Sequence, residues 1–93
     1  MNIGEAIKKM RASVGLSQKE LAERAGISAT AVCNIEKGHS FPSKETIKAI
    51  CDAIGIPVSY LLFSSITEED VPEGKREVFY ALKEPIMKLF EKR

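Results

Sequence analysis

The chain has 93 residues, is 44% hydrophobic and 29% charged, and carries a formal net charge of +1, the composition of one small globular domain with room for a short appendage. No apolar run approaches the roughly 20 residues of a membrane span, and the opening Met1-Asn2-Ile3-Gly4-Glu5 lacks the basic-then-apolar pattern of a signal peptide, so a cytoplasmic chain without a membrane partner is expected. Residues 1–63 hold eight Lys and Arg against six Asp and Glu, so any contact with a polyanion must come from a local face and not from a global field.

The predicted elements are helices, and no stretch shows the period-two alternation of a strand. The first spans about Ile3 to Val14, where Ile3, Ile7, Met10 and Val14 recur at spacings of four, three and four and form one apolar stripe. The second begins at Ser17-Gln18-Lys19-Glu20, a Ser-x-x-Glu capping box in which the serine oxygen and the glutamate each satisfy a free backbone donor. Leu16 precedes it as a staple for Leu21, and Gly26 ends it. Ser28 caps a third helix that ends before Gly38. Phe41, in the loop that follows, is expected to plug the core. A fourth helix covers about Ser43 to Ile54, with Ile47, Ile50, Cys51 and Ile54 on its apolar side. A short fifth covers Val58 to Phe63, with Pro57 in its first turn and Ile56, Leu61 and Leu62 closing the core. Gly15, Gly26, Gly38 and Gly55 each follow a helical run, where a left-handed cap is expected.

Residues 64–71 read as an acidic linker, and 72–93 as a C-terminal amphipathic helix. Val78, Phe79, Leu82, Ile86, Leu89 and Phe90 share one face of it, and Pro85 is expected to kink or split it. That apolar face must be covered, either by folding back on the domain or by a second copy of the chain, and the preceding linker leans the reading toward a homodimer.

Two cysteines, Cys33 and Cys51, and one histidine, His39, fall short of the four ligands of a structural zinc site, and a reducing cytosol leaves the thiols unpaired. There is no phosphate-cradling glycine loop and no nucleophile–base pair. No metal, cofactor or enzymatic activity is expected.

The stretch Gln18–Lys37 has the form of a helix-turn-helix, whose second helix enters the major groove of DNA. With Val32 and Ile35 turned inward and about 100° per residue, Thr30, Asn34 and Lys37 point away from the core, flanked by Ala29 and Cys33. This outward face is small and polar, suited to a groove about 12 Å wide, in which Asn can pair with adenine and a Thr or Ala methyl can touch a thymine methyl. Lys37 lies better for phosphate, and Ser17 and Gln18 stand at a helix N-terminus, which attracts phosphate.

Linked motifs carry a resemblance. Ile7-x-x-Met10-Arg11 is followed by Gly15-Leu16-Ser17-Gln18-x-x-Leu21-Ala22, Ala25-Gly26-Ile27-Ser28, Val32-x-x-Ile35-Glu36-x-Gly38, Pro42-Ser43, Ile54-Gly55-Ile56 and Leu61-Leu62. From Ile3 to Leu62 the chain resembles the lambda-repressor-like, Cro/C1-type (XRE family) helix-turn-helix domains of bacterial and phage regulators. The resemblance implies an all-α, five-helix domain over residues 1–63 that binds double-stranded DNA sequence-specifically, commonly as a two-fold dimer on a near-palindromic operator. It places Ala29, Thr30, Cys33 and Asn34 at base-reading positions, Gln18 and Ser28 at phosphates, and Arg11 with Glu36 in a structural ion pair. Two residues depart from the pattern: Lys44 replaces an apolar residue and is free to reach a phosphate, and Pro57 replaces a capping serine. The expected function is a transcriptional regulator, most simply a repressor. The alternative is an antitoxin or adaptor whose C-terminal helix binds a partner protein.

Overall fold

A computed structural model describes residues 1–89. Six α-helices account for most of them: α1 Ile3–Ser13, α2 Gln18–Ala25, α3 Ala29–Glu36, α4 Lys44–Ile54, α5 Val58–Ser64 and α6 Arg76–Lys88. Two short 3-10 turns, Glu68–Asp70 and Glu73–Lys75, lie between α5 and α6. No strand occurs among the described residues.

Local chemistry starts and stops these helices. Ser17, Ser28 and Ser43 cap α2, α3 and α4, each hydroxyl accepting the backbone N–H three residues on. The capping box of α2 is complete, since Glu20 also accepts the Ser17 N–H at 2.8 Å. Each such cap contributes about 1 kcal/mol. Gly26 ends α2 at φ 74°, a left-handed conformation that costs a side-chain-bearing residue roughly 1–2 kcal/mol. It reverses the chain within three residues, so α3 begins directly after α2. Pro57 occupies the N-cap of α5 at φ −69°, ψ 151°, one position before the first turn in which the sequence places it.

The core is a single cluster of Ile3, Ala6, Ile7, Leu16, Leu21, Ala22, Val32, Ile35, Ile50, Cys51, Ile54 and Leu61. Burial of each Ile or Leu contributes about 1.5–3 kcal/mol. Helix α2 lies between α3 and α4, α1 packs on α3, and α5 closes the far side against α1 and α4.

Three expectations about this core are corrected. Phe41 does not plug it but stands 70% exposed, while Pro42 is buried. Residues 41–43 carry no helix, and in extended backbone neighbouring side chains point to opposite sides. Leu62 is exposed and Leu61 fully buried, because helical neighbours diverge by about 100° and only one of the pair can face inward. Val14 is exposed as well, since α1 ends at Ser13 and Val14 is its C-cap.

The segment after α5 is tied to the body. Ser65 is buried, donates its hydroxyl to the Leu62 carbonyl at 2.7 Å, and accepts the Asn2 N–H at 2.8 Å. The Met1 amine pairs with Asp70 at 2.6 Å, and with Thr67 N–H it holds the Asp70 carboxyl below its ordinary range. Arg76 Nε donates to the Glu68 carbonyl at 3.0 Å, and the Tyr80 hydroxyl bonds the Glu68 carboxylate.

Helix α6 runs unbroken through Pro85 to Lys88 and is therefore not split. Phe79, Ile86 and Met87 are half-buried, and the Lys83 ammonium lies 5.4 Å from the centre of the Phe79 ring. Val78, Leu82 and Leu89 are more than half exposed, and α6 packs on α5. Phe90 and the remainder of the expected helix, to residue 93, lie outside the described residues.

Candidate nucleic-acid interface

Helix α3 meets the body through Val32 and Ile35, fully or nearly fully buried, while Ala29, Thr30 and Lys37 are exposed and Cys33 and Asn34 half-buried. The exposure of Thr30 and Lys37 follows the angular reading of the sequence, whereas Asn34, expected to point directly away, is half-buried and Ala29, expected on the flank, is exposed. Within the described residues no hydrogen bond engages the Thr30 hydroxyl or the Asn34 amide. Both are available to an external partner without a prior bond being broken.

Ser17, Ser28 and Lys44, also expected as contacts, stand at the starts of helices. Ser28 is exposed, and its Oγ accepts the Ala31 N–H at 3.0 Å. Ser17 is exposed, and its Oγ accepts the Glu20 N–H at 3.0 Å. Backbone bonding by the Ser17 N–H keeps the Glu20 carboxyl below its ordinary value. Lys44 is exposed at the start of α4, where it rims an apolar groove of about 550 Å³ lined by Phe41, Pro42, Ile47, Val58 and Leu62.

Behind α3, a buried polar cluster joins three helices. Arg11 of α1 donates Nε to Glu36 Oε2 at 2.7 Å and Nη2 to Glu36 Oε1 at 3.1 Å. Arg11 Nη1 also donates to the Leu16 carbonyl at 2.7 Å, just ahead of α2. Gln18 Nε2 donates to Glu36 Oε1 at 2.9 Å. The Glu36 side chain is 3% exposed and that of Arg11 14%. Hydrogen bonding to the carboxylate raises the Arg11 pKa above its ordinary value, so the guanidinium remains charged. Gln18, expected from the family resemblance to meet a phosphate, is a structural link between α2 and α3.

One element of the site escapes sequence reasoning. Gly4 lies inside α1, and a Cβ built there would come within 3.0 Å of the Glu36 carbonyl oxygen and closer still to that of Ile35. Helix α1 therefore touches the last turn of α3 backbone to backbone. The available signal is a glycine inside a helical pattern, which marks either a weak point or a close approach.

The two thiols differ in kind. Burial, aided by Asp52, pushes the Cys51 pKa up to about 11, so it stays a protonated core residue, whereas Cys33 is half-buried on the outward helix. Brief alkylation of the native protein at pH 8 is expected to give a single adduct, located by mass spectrometry at Cys33. Modification of Cys51 at an equal rate would show that α4 opens readily.

A helix-turn-helix family profile matches residues 7–61. The immunity repressor of Bacillus phage phi105 is 34% identical over 79 residues, 83% of this chain and 55% of the repressor. The chain spans about half the length of the first curated relatives it matches. The crystal structure of the clp gene regulator ClgR from Corynebacterium glutamicum superposes with a TM-score of 0.67 at 25% identity, over 95% of this chain and 86% of that one. The P22 c2 repressor, solved in complex with a synthetic operator, superposes with a TM-score of 0.61 at 26% identity, over 66% of this chain and 92% of that one. The five-helix core has the lambda-repressor-like fold, and the chain belongs to the Cro/C1-type helix-turn-helix family.

Proposed function

We propose that the protein is a sequence-specific DNA-binding transcriptional regulator, most simply a repressor, that lays α3 in the major groove. The observation that carries this reading is the outward face of α3: Thr30 and Asn34 are unengaged on a helix whose inner face is locked into the core and whose last turn is pinned through Glu36. In this reading Ala29, Thr30, Cys33 and Asn34 meet base edges, and Ser17, Gln18, Ser28, Lys37 and Lys44 meet phosphates. Phosphate contacts supply affinity and register, while the base edges supply discrimination. With only Thr30 and Asn34 offering polar groups, sequence-dependent DNA shape shares the work of selection. The names of the phage repressors among its relatives support the repressor assignment.

A homodimer on a near-palindromic operator completes the proposal. Val78, Leu82 and Leu89, spaced by four and seven, form an uncovered apolar stripe on α6, the kind of seam along which two helices pair. Two recognition helices would then lie about 34 Å apart. A partner protein on the same stripe, as in an antitoxin or adaptor, is the competing reading, and the regulators among the relatives weigh against it.

Selection of bound duplexes from a random pool at fixed salt tests the assignment, with enrichment of a near-palindrome as the expected result. On the enriched duplex Asn34→Ala should weaken binding by about 5- to 150-fold, the worth of one bidentate base contact, while binding to random DNA changes less than about two-fold. Equal loss on both would remove Asn34 from the base-reading set.

A further inference from the structure

We infer that Glu36 is a positioning residue for DNA binding: through its hydrogen bond to the Gln18 amide it presets the donor with which Gln18 meets a phosphate. This inference rests on the DNA-binding reading above.

An ionised carboxylate only accepts hydrogen bonds, so the group that Gln18 turns toward Glu36 must be its NH2 and not its carbonyl. The 2.9 Å bond from Gln18 Nε2 to Glu36 Oε1 therefore settles which way the amide is flipped. It uses one N–H and leaves the second free to donate. Arg11 holds the same carboxylate from the other side with two bonds and holds the Leu16 carbonyl with a third. The carboxylate cannot swing away, and the backbone leading into α2 is fixed alongside it. Gln18 is half-buried and is the first residue of α2, beside the unpaired backbone donors of that helix's first turn.

A glutamine free to rotate would lose side-chain freedom on meeting a phosphate. One already held does not, and that difference is worth about two- to ten-fold in affinity. Arg11 and Glu36 thus do more than join α1 to α3, because the same ion pair aims a side chain of α2.

The test is a double-mutant cycle on the full chain, read as dissociation constants for the duplex enriched from the random pool, with Gln18→Ala, Glu36→Asp and the double variant. Aspartate keeps the charge opposite Arg11 but withdraws the carboxylate by one methylene. Glu36→Asp is expected to weaken binding about two- to ten-fold when Gln18 is present and to have no further effect in the Gln18→Ala background. Equal effects of Glu36→Asp in both backgrounds, or none in either, would overturn the inference and leave the regulator reading intact. Failure of the unsubstituted chain to select any duplex would overturn that reading, and the inference with it. A second measurement holds even if Glu36→Asp fails to fold. In the unsubstituted chain, the two Gln18 side-chain amide protons should differ, one slowly exchanging and bonded to Glu36, the other shifting when DNA binds. Two protons that exchange at the same fast rate would refute the preset amide.

Discussion

Replacing Glu36 with alanine is expected to lower the folding free energy by about 3–5 kcal/mol, the cost of leaving one member of a buried ion pair without its partner. The arithmetic favours a large effect because Arg11 would keep its charge while losing two of its three hydrogen bonds, and Gln18 would lose its one side-chain bond. In a domain of this size 1 kcal/mol moves the melting temperature by roughly 4–8 °C, so a drop of about 12 °C or more is anticipated. Urea denaturation monitored by circular dichroism measures the free energy and a thermal melt the midpoint, with Glu23→Ala as the reference. Glu23 is exposed on α2, and its loss should stay within about 0.5 kcal/mol. A cost below about 1 kcal/mol at Glu36 would mean that the desolvation of the pair cancels its attraction.

Gly4→Ala is expected to destabilise by about 1–3 kcal/mol, although alanine is the better helix former by about 1 kcal/mol. The added methyl would collide with the Ile35 and Glu36 carbonyl oxygens, and neither is the far end of a flexible side chain. Relief requires α1 and α3 to separate, which would also loosen the Arg11–Glu36 pair. Gly74 offers an internal comparison, since a Cβ there meets nothing within 4 Å. Paired thermal melts of Gly4→Ala and Gly74→Ala separate the close approach in α1 from the general effect of replacing a glycine. Equal midpoints would show that the two helices yield without cost.

What the sequence makes legible follows the range of the interactions concerned. Serine caps and glycine stops act over three or four residues, so α2, α3 and α4 are bounded almost to the residue by Ser17, Ser28, Ser43, Gly26 and Gly55. The outward face of α3 is also local, because helical geometry and two buried residues determine it. Gly4 is different: its constraint comes from carbonyls 31 and 32 positions away, and no periodicity records a backbone contact. Phe41 misleads because its size suggests burial, whereas the direction of a loop side chain depends on which neighbour the core accepts, here Pro42. The Arg11–Glu36 pair is legible only through the family pattern. The third member, Gln18, needs the packed helices, since only there do the first residue of α2 and the last of α3 come within reach.

The unengaged side chains on the outer face of α3 bear on how such a protein diversifies. What the scaffold grips of this helix is its inner face, its final carboxylate and its main chain at Ile35 and Glu36. Among the described residues the side chains of Thr30 and Asn34 form no hydrogen bond to the rest of the fold, and Ala29 has no side-chain group to form one. Under the proposed reading, mutations at these positions are close to neutral for folding, and a lineage would exchange one target for another through successive viable intermediates. In that reading recognition is a replaceable inscription on a backing that selection holds still.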